Sequence, residues 1–199
     1  VSWGVARIEE AVRDCYQSVR FSFEGFDACP EAIQRLAEIA VEKRLNTIFA
    51  ADASLFADPD SARRVSDIKK SSATIEAVLN AKENRNGLKG ILTLVTNGLR
   101  ENVRVVELVS DQNADALITT VRFCRKLGIR PIAFEYRGGN GAPAYQTREN
   151  VAFAAGYVLK TAGPGGPDIE LRGFPYHSFP DMHFIYRPPY YMAGEGEKP

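Results

Sequence analysis

Asp52, Glu135 and Arg137 are the residues of this 199-residue chain whose types and places best suit chemistry. Thr47 to Ala51 is a short apolar run that ends in Asp52 and continues through Ala53 to Ser54. Pro131 to Tyr136 is a second run that carries Glu135 and leads into Arg137-Gly138-Gly139-Asn140-Gly141. In open α/β sheets ligands collect beyond the carboxyl ends of the strands. These two loops are therefore the expected site, with Asp52 and Glu135 as catalytic candidates and Ser54, Arg137, Gly138, Gly139 and Gly141 as ligand contacts. Glycine lets backbone approach a ligand, a guanidinium takes carboxylate or phosphate through two hydrogen bonds, and the N-terminus of a following helix favours an anion. If the strands are neighbours, Asp52, Glu135 and Asp111 converge and can hold a divalent cation for phosphoryl transfer. The competing reading makes these carboxylates helix caps or solvated loop residues, and Asp111, just before a helix, suits a cap best.

Other constellations are weaker. Gly139-x-Gly141-x-x-Ala144 fits a loose dinucleotide fingerprint, but it follows a late strand, contains Pro143 and does not lead directly into the helix. His177, Asp181 and His183 would share one face of a regular strand and can ligate iron or zinc, yet Pro180 interrupts the register. Cys124 and Cys15 fall on apolar helix stripes and read as inert core, whereas Cys29 precedes Pro30 at a helix start, where a thiolate is stabilised. Arg63, Arg64, Lys69, Lys70, Lys82, Arg85 and Lys89 form a basic stretch that can meet phosphates, but no nucleic-acid motif accompanies it. No cofactor is assigned.

The elements that must position these residues follow from periodicity. Val5, Ile8, Val12, Cys15 and Val19 alternate three and four apart and predict a first helix, followed by a short strand at Arg20 to Phe23. Pro30 opens an amphipathic helix through Arg44 with Ile33, Leu36, Ala37 and Ala40 inside. Ser61 to Lys82 keeps helical spacing with a break at Ser71 and Ser72, and Asn86-Gly87 supplies a stop. Ile91 to Val95 and Val103 to Val109 read as strands joined through Asn97-Gly98, a strong hairpin signal that points to a mixed sheet. Ala114 to Leu127 is a helix stopped by Gly128, and Thr147 caps another that runs to about Lys160 and packs through Ala152, Ala154 and Ala155. Gly163 to Pro167 is a turn before a last strand, Ile169 to Leu171.

Alternating helices and strands predict an α/β domain over residues 1–172, a layered α/β/α sandwich with a parallel or mixed central sheet. Residues 173–199 read as an extended aromatic and proline-rich C-terminal arm. Net charge is zero, with 25 Lys and Arg against 25 Asp and Glu, and 45% of residues are hydrophobic, as in ordinary globular proteins. No apolar run reaches the roughly 18 residues that cross a bilayer, and the first residues lack a signal-peptide pattern. The three cysteines form no paired motif, which suits a reducing, cytoplasmic compartment. These features predict a domain binding a small molecule or nucleotide through an anionic group, extending to a metal-assisted enzyme on a phosphate-containing substrate. The alternative is a non-enzymatic interaction or homo-oligomerisation module that uses the C-terminal arm, with neither nucleic acid nor membrane as partner.

Overall fold

The computed structural model describes residues 1–22, 29–70, 73–79, 84–129, 132–137, 143–161, 169–174 and 191–193. The chain has the α/β class expected of it, with parallel strands alternating with helices. It divides into two compact units, one formed by residues 1–78, 85–103 and 189–199, the other by 79–84 and 104–188.

In the first unit, helix α1 (Ser2–Arg13) leads to strand β1 (Ser18–Ser22), and α2 (Pro30–Glu42) leads to β2 (Asn46–Asp52). A short helix α3 (Pro59–Arg64), strand β3 (Thr74–Leu79) and helix α4 (Asn84–Thr96) follow. Strand β7 (Tyr191–Ala193) closes the chain, and the strand order β7-β1-β2-β3 is parallel throughout. Pro30 sits in the first turn of α2, where its missing N–H costs nothing, and the helix buries Ile33, Leu36, Ala37 and Ala40 as the periodicity required. On one sheet face Phe21 lies in register with Phe49, and their rings stack with centroids 5.5 Å apart. Trp3 of α1 meets Phe21 edge-on at 6.2 Å, which marks this as a helix-covered face. Because successive side chains alternate, Arg20, Asp52 and Glu76 belong to the opposite face. There Arg20 Nε donates to Glu76 at 2.7 Å with both residues buried.

The second unit carries β4 (Val103–Val109), α5 (Leu117–Lys126), β5 (Ile132–Tyr136), α6 (Tyr145–Thr161) and β6 (Ile169–Arg172). Its strands run parallel in the order β4-β5-β6. Leu117, Val121 and Cys124 of α5 and Val151, Ala154, Ala155 and Val158 of α6 are buried, and Arg125 of α5 donates to the Val158 carbonyl at 3.0 Å.

Several expectations of local structure fail, each for its own reason. Ile91 to Val95 is part of α4 and not a strand, because burial follows the helical period: Gly87, Gly90, Ile91 and Leu94 face inward while Leu92 is exposed. Asn97-Gly98 does not make a hairpin. It ends α4, with Gly98 at φ +85° and Leu99 N–H donating to the Leu94 carbonyl at 3.1 Å; a helix end and a hairpin turn both need positive φ, so the dipeptide alone cannot choose between them. The run from Ser61 to Lys82 is helical as far as Lys70, in α3 and a 3-10 turn at Ser66–Lys70, and beyond it the β-branched Thr74, Ile75 and Val78 belong to strand β3. The pairings β1–β2, β1–β7, β2–β3, β4–β5 and β5–β6 are each parallel. Of the C-terminal arm, the described residues 191–193 add a strand to the edge of β1, with Val19 opposite Tyr191 and Phe21 opposite Ala193.

Candidate functional site

In the first unit Asp52 ends β2 and is exposed, as expected of a strand delivering a carboxylate to the sheet edge. Its Oδ1 accepts a hydrogen bond from the Ser54 backbone N–H at 2.8 Å and so caps the short 3-10 turn Ala53–Phe56. The turn rests on α4. A Cβ added at Gly90 would lie 1.8 Å from the Ala53 carbonyl oxygen, so glycine is what lets helix and turn meet. Asp52 thus performs the cap role weighed against catalysis, and Ser54, half-buried, contributes its backbone N–H to it.

The second unit holds Glu135 and Arg137. Arg137 forks onto one oxygen of Glu135, with Nε at 3.1 Å and Nη2 at 2.8 Å. Glu135 is in register with Arg172 of β6, and its second oxygen lies 4.0 Å from Arg172 Nη1. Arg172 in turn donates to both oxygens of Glu170, at 2.9 and 2.8 Å, and Arg104 of β4 reaches the same carboxylate at 3.2 Å. Register puts Glu170 beside Ala133 of β5, whose methyl leaves room for this reach. The result is a ladder of alternating charge, Arg104, Glu170, Arg172, Glu135 and Arg137, along one face of the sheet. It is buried at Glu170 and Arg172 and opens toward the carboxyl end of β5, where the Glu135 and Arg137 side chains are 20% and 41% exposed. Arg104, Glu170 and Arg172 escaped the sequence reading, although Ile169-Glu170-Leu171-Arg172 alternates apolar and charged residues and so announces one apolar and one charged face.

Asp111 is a tertiary cap and does not cap the helix that follows it. Its Oδ1 accepts from the Ala144 N–H at 3.0 Å and from the Thr147 hydroxyl at 2.6 Å, which places a carboxylate at the N-terminus of α6. Thr147, expected to cap that helix, instead lies inside its first turn. The anion favoured at this helix start is therefore one of the chain's own. Burial and then Asp111, which hydrogen-bonds the phenol, push Tyr136 above its ordinary pKa. Phe174 stacks on Tyr136 at 5.3 Å, brought there by Gly173, at φ +69°, whose absent side chain would strike the Tyr136 carbonyl.

On the opposite face of β4, Glu107 is fully buried, and among the described residues neither carboxylate oxygen has a hydrogen-bond partner. Burial raises its pKa to about 7; the Thr120 hydroxyl works weakly against that shift without reaching hydrogen-bond geometry. Cys124 is buried core as expected, its thiol pushed up to about 12 first by burial and then by Glu107. Cys15 is exposed and not on a buried stripe. The basic stretch is partly neutralised, since Arg63 pairs with Asp60 at 2.9 Å and Arg64 with Glu31. Gly138, Gly139, Gly141, Lys82, His177, Asp181 and His183 lie outside the described residues. No helix among the described residues is long and apolar enough to cross a membrane.

No protein-family model and no curated protein matches this chain. Solved structures do. SuiB of Streptococcus suis superposes with a TM-score of 0.61 at 16% identity over 89% of this chain and 43% of SuiB. SuiB bound to S-adenosylmethionine gives the same TM-score and identity over 42% of its length. The likeness is one of fold. The biosynthetic arginine decarboxylase SpeA of Campylobacter jejuni also aligns, with a TM-score of 0.37 at 13% identity over 85% of this chain and 42% of SpeA. This chain spans less than half the length of each of these proteins.

Proposed function

We propose that this chain is a small-molecule-binding α/β domain whose second unit takes a charged ligand at the carboxyl ends of β5 and β6, with Arg137 contacting its carboxylate or phosphate. The observation that carries this reading is the Glu135–Arg137 fork, half open to solvent at the end of a buried charge ladder. Burying paired charges in place of apolar side chains brings little stability. Their position at strand ends, where parallel α/β proteins bind ligands, gives them another use. SuiB shares the fold and has been solved with S-adenosylmethionine, which makes that molecule the first probe. The finer form of the reading is an enzyme acting on a phosphate-containing substrate with a divalent cation, in which Glu135 would serve as metal ligand or base.

Calorimetric titration with S-adenosylmethionine, and with ADP in the presence and absence of Mg²⁺, tests this on the whole chain and on Arg137→Ala and Asp52→Ala. Saturable binding that Arg137→Ala weakens at least tenfold is expected, and an Mg²⁺ requirement for ADP would point to the enzyme form. Titrations without saturation, or equal affinities in both variants, would overturn the reading. A second reading, assembly through residues 173–199, draws on the pairing of β7 with β1: a strand supplied to an edge by the C-terminal segment can also be supplied by a second copy. Sedimentation before and after deletion of residues 174–199 decides it, an unchanged mass per particle counting against assembly.

A further inference from the structure

We infer that the group recognised by Glu135 and Arg137 is a zwitterion of the α-amino carboxylate class, its carboxylate taken by Arg137 and its ammonium by Glu135. This rests on the ligand-binding reading above and specifies the ligand. The charge ladder has two parts. In the buried part Glu170 accepts from Arg172 at 2.9 and 2.8 Å and from Arg104 at 3.2 Å, so one carboxylate orders two guanidiniums. In the open part, among the described residues, Glu135 accepts from Arg137 through Oε1. Oε2 faces Arg172 Nη1 at 4.0 Å, beyond hydrogen-bond reach, and a carboxylate oxygen has two lone pairs to fill.

A purely anionic ligand drawn to Arg137 meets the like charge of Glu135 within a few ångströms. A purely cationic one drawn to Glu135 meets Arg137 and Arg172. A ligand carrying both charges one or two bonds from a common carbon satisfies both groups and adds no net charge to a half-buried site. An exposed ion pair is worth little in water, so exchanging part of the Glu135–Arg137 pair for ligand contacts costs little. Glu170 holds Arg172 beside Glu135.

Calorimetry on the full chain with four probes tests the inference. S-Adenosylmethionine and S-adenosylhomocysteine carry the α-amino carboxylate, 5′-methylthioadenosine lacks it, and ADP offers phosphate in its place. The first two should bind at least tenfold more tightly than the last two. Glu135→Gln and Arg137→Ala should each remove that difference, with circular dichroism unchanged from the parent, and Arg137→Lys should restore part of it. If 5′-methylthioadenosine or ADP binds as tightly as S-adenosylhomocysteine, the zwitterion is wrong while ligand binding stands. If none of the four binds, both readings fall.

Discussion

The carboxylate of Asp111 and the hydroxyl of Thr147 lie 2.6 Å apart although 36 residues separate them in the chain. This contact ties the loop after β4 to the first turn of the 17-residue helix α6, with the Ala144 N–H bound to the same oxygen. Asp111→Ala should cost about 1 kcal/mol, the usual worth of a lost cap, and Asp111→Asn less, since an amide oxygen still accepts but carries no charge for the helix dipole. Urea denaturation of the two variants checks the order.

Glu107 makes stability depend on pH in a specific direction. Its carboxyl titrates near 7 in the folded chain against 4.5 in the unfolded one, so the folded state binds the extra proton between these values. The stabilisation is complete below pH 4.5 and is lost as pH rises through 7, amounting to roughly 3 kcal/mol over the window. Glu107→Gln should flatten this dependence and make the protein more stable than its parent at pH 8. Thermal denaturation of both from pH 5 to 8 measures it, and parallel curves would show that Glu107 is not the titrating group.

Gly90 reverses an ordinary rule. Alanine in place of glycine inside a helix commonly stabilises by about 1 kcal/mol. At Gly90 the added methyl carbon would overlap the Ala53 carbonyl, so Gly90→Ala should destabilise by more than about 2 kcal/mol and displace the turn that Asp52 caps. Gly156, where an added Cβ meets nothing within 4 Å, is the control, and Gly156→Ala should be neutral or stabilising.

Four helices end in the same left-handed turn, at Cys15, Arg44, Gly98 and Gly128, with φ of 60°, 57°, 85° and 73°. Leu45 N–H donates to the Ala40 carbonyl at 2.9 Å, just as Ile129 donates to Cys124 at 3.0 Å. Arg44 pays the strain of a side chain at positive φ, which glycine avoids, so Arg44→Gly should stabilise by about 1 kcal/mol and Gly98→Ala should destabilise by a similar amount. Chemical denaturation of the pair gives opposite shifts in midpoint if the caps are as described.

Much of this architecture is legible from local pattern. Val103 to Val109 is read as a strand to the residue, and the buried set of α2 follows from Ile33, Leu36, Ala37 and Ala40 alone. Where local signals serve two structures they mislead: Asn97-Gly98 fits a hairpin or a helix end, and Ile91 to Val95 fits a strand or the middle of a helix. Neighbouring residues determine these choices only after packing has selected one of them. Glu135 and Arg137 were visible as candidates because one lies at the end of a strand and the other just after it, and their mutual fork is a contact over two residues.

Residue types and their periods thus determined the class of fold, the alternation of helices with strands, and the strand ends at which charged groups would gather. The tertiary structure alone decided which charges meet. Arg104 and Glu170 are 66 residues apart, and Arg20 and Glu76 are 56 apart. Such partners are chosen by strand register and by which face each residue occupies, and a one-residue slip would turn every one of them to the other side.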